Sequence, residues 1–354
     1  MTKRHLAYLA CTAALVASAV GAAPPADGTR THLVRPGQSI QQAVDAAKPG
    51  DTVLLLPGTH RGSVRVTTSG LTLRGMGGGR TVLRPSPTGA AAGSCAKAGH
   101  GICVEGTTGR PVEGTTIASL TLSGYARNGV WATDTDRLTV RRVVAEENGQ
   151  WGIAQQRSVR GTFTYNVARR NGDAGVFLAN TVTEEGGATD SLGAVVARNR
   201  LEGNRIGLTV RRLRNLTVAY NDATANCAAV FVVGDETPPR AGALTVRDNR
   251  IVANNKYCPK TARLPFLQGS GIVLTGAEDT LVTRNLVADH KGTSPLSGGV
   301  VIFKSMVGAK SERNRITGNT LRDNHPADLV DSDTATNNAF QGNTCTLSKP
   351  AGLC

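Results

Sequence analysis

Arg211, Arg212 and Arg214 fall within four positions of one another, directly after the apolar alternation Gly207-Leu208-Thr209-Val210. Planar guanidinium groups brought together in this way suit carboxylate and sulfate oxygens, because each presents paired donors in a fixed fork. On a uronate, neutralising the carboxylate acidifies the C5 proton, and a nearby base can then begin β-elimination or C5-epimerisation. Arg211 and Arg212 are the candidate clamp and Lys304 the candidate base. Gln156, Arg157, Phe177, Asn180, Arg214 and Phe231 are expected to touch the substrate, as hydrogen-bonding groups or as faces for a sugar ring. A plainer reading competes: the arginines pair with Glu184, Glu185, Asp235 and Glu236 of neighbouring segments, and both readings stay open here. Inverting hydrolysis needs two facing carboxylates, and no convincing pair is present.

The elements that must position these residues repeat. Asn166 and Asn171 precede Gly175-Val176-Phe177-Leu178, Asn199 and Asn204 precede Gly207-Leu208, and Asn221 and Asn226 precede Ala229-Val230. The small residue returns at 129, 152, 175, 207, 229, 271, 299 and 327, at spacings of 23, 23, 32, 22, 42, 28 and 28. A base period near 22 or 23 with insertions marks a repeat architecture. Each repeat carries period-2 apolar pairs such as Val176/Leu178 and Val230/Val232, which is strand patterning. No helix-length segment separates the strands, so ordinary βαβ crossovers are excluded. Strands and turns at a fixed period predict a solenoid of stacked coils, with small residues and asparagines at corners that need left-handed backbone. Stacked asparagines are also expected to hydrogen-bond from coil to coil.

Counting outward from the small residue puts Trp131, Ala154, Phe177, Thr209, Phe231, Val273 and Val301 in one outward column. That column is either a sugar-stacking platform or a face buried under insertions. The insertions 181–192 and 235–242 flank the coil of Arg211, Arg212 and Arg214, which predicts a basic floor between two walls. Lys304 lies three repeat positions further on. A second basic column, Arg198, Arg247, Arg284 and Arg313, reads as a solvated face.

Ahead of the repeats, Ser39 with Gln42 forms a capping box, and Ile40, Ala43, Val44 and Ala47 share one helical face before Pro49-Gly50. Together with the asparagine-marked repeat, this pattern resembles the right-handed parallel β-helix repeat family, which includes pectate-lyase-like folds. The resemblance covers roughly residues 50 to 345. It implies an all-β fold, a single-stranded right-handed parallel β-helix with a short N-terminal capping helix over 38–48, coils over about 50–345 and a tail over 345–354. It is specific for fold and weak for activity. The Asp-Pro-His-Asp pattern of the alginate epimerases is absent, as are the paired aspartates and Arg-Ile-Lys motif of polygalacturonases. Gly99-His100-Gly101 matches a short polygalacturonase motif without its carboxylates.

Residues 1–23 read as a secretory signal: a basic start at Lys3-Arg4-His5, an apolar stretch from Leu6 to Val20, and small residues at Gly21-Ala22-Ala23. Residues 24–354 are then one domain, extracellular, with no membrane anchor once the signal is cleaved. The mature chain keeps Cys95, Cys103, Cys227, Cys258, Cys345 and Cys354, an even number suited to disulfides. Six cysteines allow 15 pairings; the sequential one is favoured because each bridge would staple a loop or the tail. The net charge of +14 becomes 14 − 2 = +12 without Lys3 and Arg4. Such a balance in an exported chain suggests an acidic polysaccharide partner, and the scarcity of aromatic residues argues against nucleic acid. A monomer without cofactor is expected. Asp134/Asp136 and Asp331/Asp333 could ligate Ca²⁺, although such pairs are mostly turn residues. Copper delivery of the nitrous-oxide-reductase maturation type is disfavoured, since six histidines and three methionines do not cluster.

Overall fold

The computed structural model describes residues 28–87 and 93–354; the signal segment 1–23 lies outside them. The described chain winds into a single-stranded right-handed parallel β-helix. Each coil contributes one short strand to each of three sheets, here called the platform, second and third sheets in the order the chain visits them. One coil shows the pattern: Ile153–Gln156 in the platform sheet, Thr162–Thr164 in the second, Val167–Arg169 in the third, then Ala174–Ala179 back in the platform sheet. Eleven strands from Val64–Val66 to Ser348–Lys349 make the platform sheet, every pair parallel and in register.

Alternation decides what faces inward. Val130, Ile153, Val176, Leu208, Val230, Ile272 and Val300 stack up the inside of the platform sheet, with Val140, Phe163, Val196, Val218 and Val246 opposite them on the second. These side chains are essentially inaccessible, and narrow aliphatic rungs of this kind interlock without voids.

Two asparagine ladders hold the corners. Asn166, Asn199, Asn221, Asn249, Asn285, Asn319 and Asn343 run along the corner between the second and third sheets, each Nδ2 donating to the next Oδ1 at 2.9–3.0 Å. Asn148, Asn171, Asn204, Asn226 and Asn254 do the same before the platform sheet. His290 and Asn324 continue that ladder, which ends on Asp328. A buried amide left unpaired is costly, and each rung here satisfies its neighbour.

The small-residue repeat has a different cause from the one its sequence suggests. A Cβ on Gly129, Gly152 or Gly207 would stand 2.6 Å from the carbonyl oxygen of the following coil. Close approach between coils therefore excludes a Cβ at these glycines, with alanine tolerated at position 229, and left-handed backbone is not the cause. The left-handed corner positions are filled instead by residues such as Arg142, Tyr165, Arg198, Tyr220, Asp248 and Arg284.

Both ends are closed. The capping helix spans Ile40–Ala46, shorter than 38–48, with Ser39 Oγ accepting from the Gln42 amide N–H. Gln41 pairs through its side-chain amide with both backbone groups of Arg65, taking the place of a strand partner on the exposed platform edge. At the other end, Ser348–Lys349 pairs with Leu329–Asp331. The disulfides are sequential: Cys95 with Cys103, Cys227 with Cys258, and Cys345 with Cys354.

Candidate functional site

The outward column stands in register on the platform sheet. Trp131 pairs with Ala154, Ala154 with Phe177, Phe177 with Thr209, Thr209 with Phe231, Phe231 with Val273 and Val273 with Val301. Its two halves have different environments. Trp151, Ala154 and the column from Phe177 onward form a second apolar core outside the coils, with Trp131 at its margin, sealed after Phe177 by Val182 of one insertion and by Cys258, Leu264, Leu267 and Leu296 of two others. Phe231 is 3% exposed. The segment 255–268 is pinned over it by the Cys227–Cys258 bridge, by Arg205 Nη1 donating to the Pro259 carbonyl at 2.7 Å, and by Ser294 Oγ donating to the Phe266 carbonyl at 2.8 Å.

The basic floor expected at Arg211, Arg212 and Arg214 is consequently not a floor. Arg211 is covered by the 181–188 segment, donating to the Val182 carbonyl at 3.2 Å with Glu185 at 3.7 Å. Burial, and then Arg263, lower its pKa from the ordinary arginine value. Arg212, at a left-handed corner, is buried in ion pairs with Glu185 and Asp235, and donates to the Glu184 carbonyl at 2.8 Å. Arg214 lies beyond the corner, where it pairs with Glu278 and donates to the Arg240 carbonyl. The plainer reading, arginines tied to the acids of their own loops, is what the geometry displays. Lys304 is exposed, and Arg211 is separated from it by three coil steps, about 14 Å of rise. These residues are not brought together.

Nor do the expected contact residues form one surface. Phe177 and Phe231 belong to the covered core. Asn180 is turned into its own loop, with Nδ2 donating to the Gly187 carbonyl and Oδ1 accepting from the Thr181 N–H. Gln156 accepts from the Val182 N–H at 2.9 Å, anchoring the same loop. Arg157 forks onto Asp134, and that carboxylate raises its pKa. Asp136 is held by Arg160 and Arg137, so arginines occupy the first Asp-x-Asp pair.

Toward the N-terminus the aromatic rings on the platform sheet form a stack that is buried except at Trp131. His100, Trp131, Trp151 and Phe177 follow one another with centroids 5.5, 6.0 and 4.1 Å apart and planes within 19° of parallel. Trp131 remains partly exposed in this stack; Arg65, paired with Glu105, stands two coils before it on the same column, and Arg127 is exposed. Trp151 Nε1 donates to Asp173 Oδ2 at 3.0 Å. Burial raises the Asp173 pKa above the usual carboxylate range, against the opposing effects of the Trp151 hydrogen bond and the Arg205 charge. His100 is pushed down to about 4 by burial, then by Arg127. At neutral pH this region holds a neutral imidazole, a carboxyl with elevated proton affinity and a partly exposed indole edge, a combination able to contact a sugar and exchange a proton with it.

Trp151, Asp173 and His100 were not among the residues singled out as substrate contacts or catalysts. Spacing carried no signal for Trp151: alternation would turn it inward with Ile153, and it faces outward because it precedes the strand that begins at Ile153.

A family model described as right handed beta helix region matches residues 92–251, and one described as periplasmic copper-binding protein (NosD) matches residues 180–349. The A-module of mannuronan C-5 epimerase AlgE4 of Azotobacter vinelandii superposes with a TM-score of 0.57, at 21% identity, over 86% of this chain and 89% of that one. An alginate lyase from Paenibacillus sp. str. FPU-7 gives 0.53 at 15% identity, over 89% and 98%. DFA-IIIase from Arthrobacter chlorophenolicus A6 in complex with GF2 gives 0.58 at 14%, over 86% and 78%. No curated protein matches in sequence. The chain shares the right-handed parallel β-helix fold with these three solved structures.

The copper named in the second description does not fit the residues present. Among the described residues no three His, Cys, Asp or Glu side chains converge, and all six cysteines form disulfides. His32, His60 and His290 are engaged separately, by Asp51, the Leu56 carbonyl and two ladder asparagines.

Proposed function

We propose that this protein is an exported β-helix that binds an acidic polysaccharide along the N-terminal part of its platform sheet, with the exposed edge of Trp131 as its apolar contact to a sugar ring. The carrying observation is the ring stack in which Trp131, held between His100 and Trp151, stays partly exposed near exposed Arg127. A stacked indole cannot rotate away, so sugar binding orders no side chain at that point. The net charge of +14 supports an anionic ligand. Three disulfides and the apolar segment from Leu6 to Val20 support export. The names of the structural neighbours, an alginate lyase and a mannuronan epimerase, favour a uronate polymer. Affinity electrophoresis through gels containing alginate or pectate tests the reading: the natural protein should be retarded and Trp131→Ala should run as in an empty gel. Equal retardation of both would remove the platform from the account.

A second reading rests on Asp173, whose burial-raised pKa suits proton transfer. It makes the same groove catalytic, with Asp173 exchanging the C5 proton of a uronate in an elimination or epimerisation. Asp173→Asn should then abolish formation of unsaturated or epimerised uronate while retardation persists. If the natural protein forms neither product from any uronate polymer it binds, the groove is a binding site alone.

A further inference from the structure

The corner between the second and third sheets, away from the platform sheet, carries a row of side chains that the groove does not use. In successive coils its left-handed position is held by Arg142, Tyr165, Arg198, Tyr220, Asp248 and Arg284. The Arg198 guanidinium lies between two rings, 5.6 Å from the Tyr165 centroid and 5.4 Å from that of Tyr220. Arg247, beside Asp248, covers the next ring position at 5.1 Å from Tyr220. Arg198 and Arg247 donate to the Tyr165 and Tyr220 hydroxyls at 2.7 and 2.9 Å. The rings are about half exposed although glycine or asparagine would occupy this backbone more cheaply. Their faces are taken by guanidinium groups, so the row offers its edges: phenolic oxygens and the free N–H groups of Arg198 and Arg142. Asp248 is the one carboxylate in the row, shared by Arg247 and Arg284, which leaves 4 − 1 = +3 over Arg142, Arg198, Arg247 and Arg284. Arg198 has no carboxylate partner among the described residues.

We infer that this row is a second binding surface, for a linear polyanion lying parallel to the solenoid axis with one carboxylate or sulfate per extended disaccharide. Arg142, Arg198 and Arg247 stand two coils apart in turn, about 9.6 Å each, with Arg284 one coil beyond Arg247. Tyrosines between them hold the guanidinium edges outward, in fixed orientation, at low entropic cost. A glycan with an acidic sugar alternating with a neutral one presents its anions at a similar interval and can meet successive arginines. A flexible acidic peptide has no fixed interval and gains less from the row.

Hyaluronan, with one carboxylate per disaccharide, is the probe, used with the full chain in low salt. In a Trp131→Ala background, which silences the platform, hyaluronan should still retard the protein, and adding Arg142→Gln with Arg198→Gln should weaken that retardation at least tenfold. Tyr165→Asn with Tyr220→Asn, which suits the left-handed corner, should weaken it several-fold with the thermal midpoint kept. The inference is overturned if Trp131→Ala alone abolishes retardation by hyaluronan, if the arginine substitutions leave it unchanged, or if polyglutamate of matched charge competes as well as hyaluronan does. Failure here leaves the platform reading untouched, since that reading is judged on uronate polymers with Trp131 as its variable.

Discussion

The outer face of the platform sheet is one continuous column with two fates. Near Trp131 the covering segment leaves the indole partly exposed at the ring stack. Beyond Phe177 the same column, in the same register, is sealed under three insertions and becomes a second core containing Phe231, Val273 and Val301. A repeat fold supplies an outward row at every coil, and loop length decides whether that row recognises a ligand or is spent on burying the loop. The arginines divide with it. Arg212 is consumed by Glu185 and Asp235 of the covering loops, whereas Arg127 near the open end stays exposed.

Substitutions should separate the halves. Phe231→Ala in the covered half should cost about 3–5 kcal/mol by denaturant unfolding and leave polyuronate binding intact; Trp131→Ala in the open half should cost no more than about 1 kcal/mol and remove binding. A comparable stability loss at both positions would erase the distinction. Arg212→Ala strands buried Asp235 and should cost about 3 kcal/mol with unchanged glycan retention. A loss of retention without loss of stability would instead restore Arg212 as a ligand contact.

Acid should act through the histidines. His290 takes an asparagine's place in a ladder, accepting from Asn254 at Nε2 and donating from Nδ1 to Asn324, so only the neutral ring fits. Burial pushes its pKa down to about 4, and the unfolded chain therefore binds the proton first. Stability should be full above about pH 6.5 and fall by up to about 3 kcal/mol as the pH drops to about 4. His290→Asn should flatten that slope in urea titrations at several pH values; an unchanged slope would place the acid sensitivity elsewhere. Lys304→Ala, at an exposed position three coils from Arg211, should change stability by less than about 0.5 kcal/mol and leave any uronate chemistry unaffected.

The coils were legible because period and parity are backbone properties: the repeat of Gly152, Gly175 and Gly207 fixes where each platform strand begins, and alternation fixes its faces. The asparagine ladders followed from the same spacing. The site was less legible, because insertions break the period. The insertions and the acids Glu185 and Asp235 made burial of Phe231 and pairing of Arg212 readable as alternatives, but spacing alone did not choose them over an open basic floor. Trp151 and Asp173 are adjacent only through the coil stack, 22 residues apart in sequence.

The central claim is that the open end of the platform sheet is the ligand site. Both tryptophans of the chain, Trp131 and Trp151, stand in its ring stack, so their fluorescence reports on that region alone. Titrating the natural protein with alginate and pectate oligosaccharides should produce a saturable change in emission that weakens with salt and is absent from Trp131→Ala. Binding established by retention, with no change in tryptophan emission at saturation, would contradict the claim and move the site off the platform.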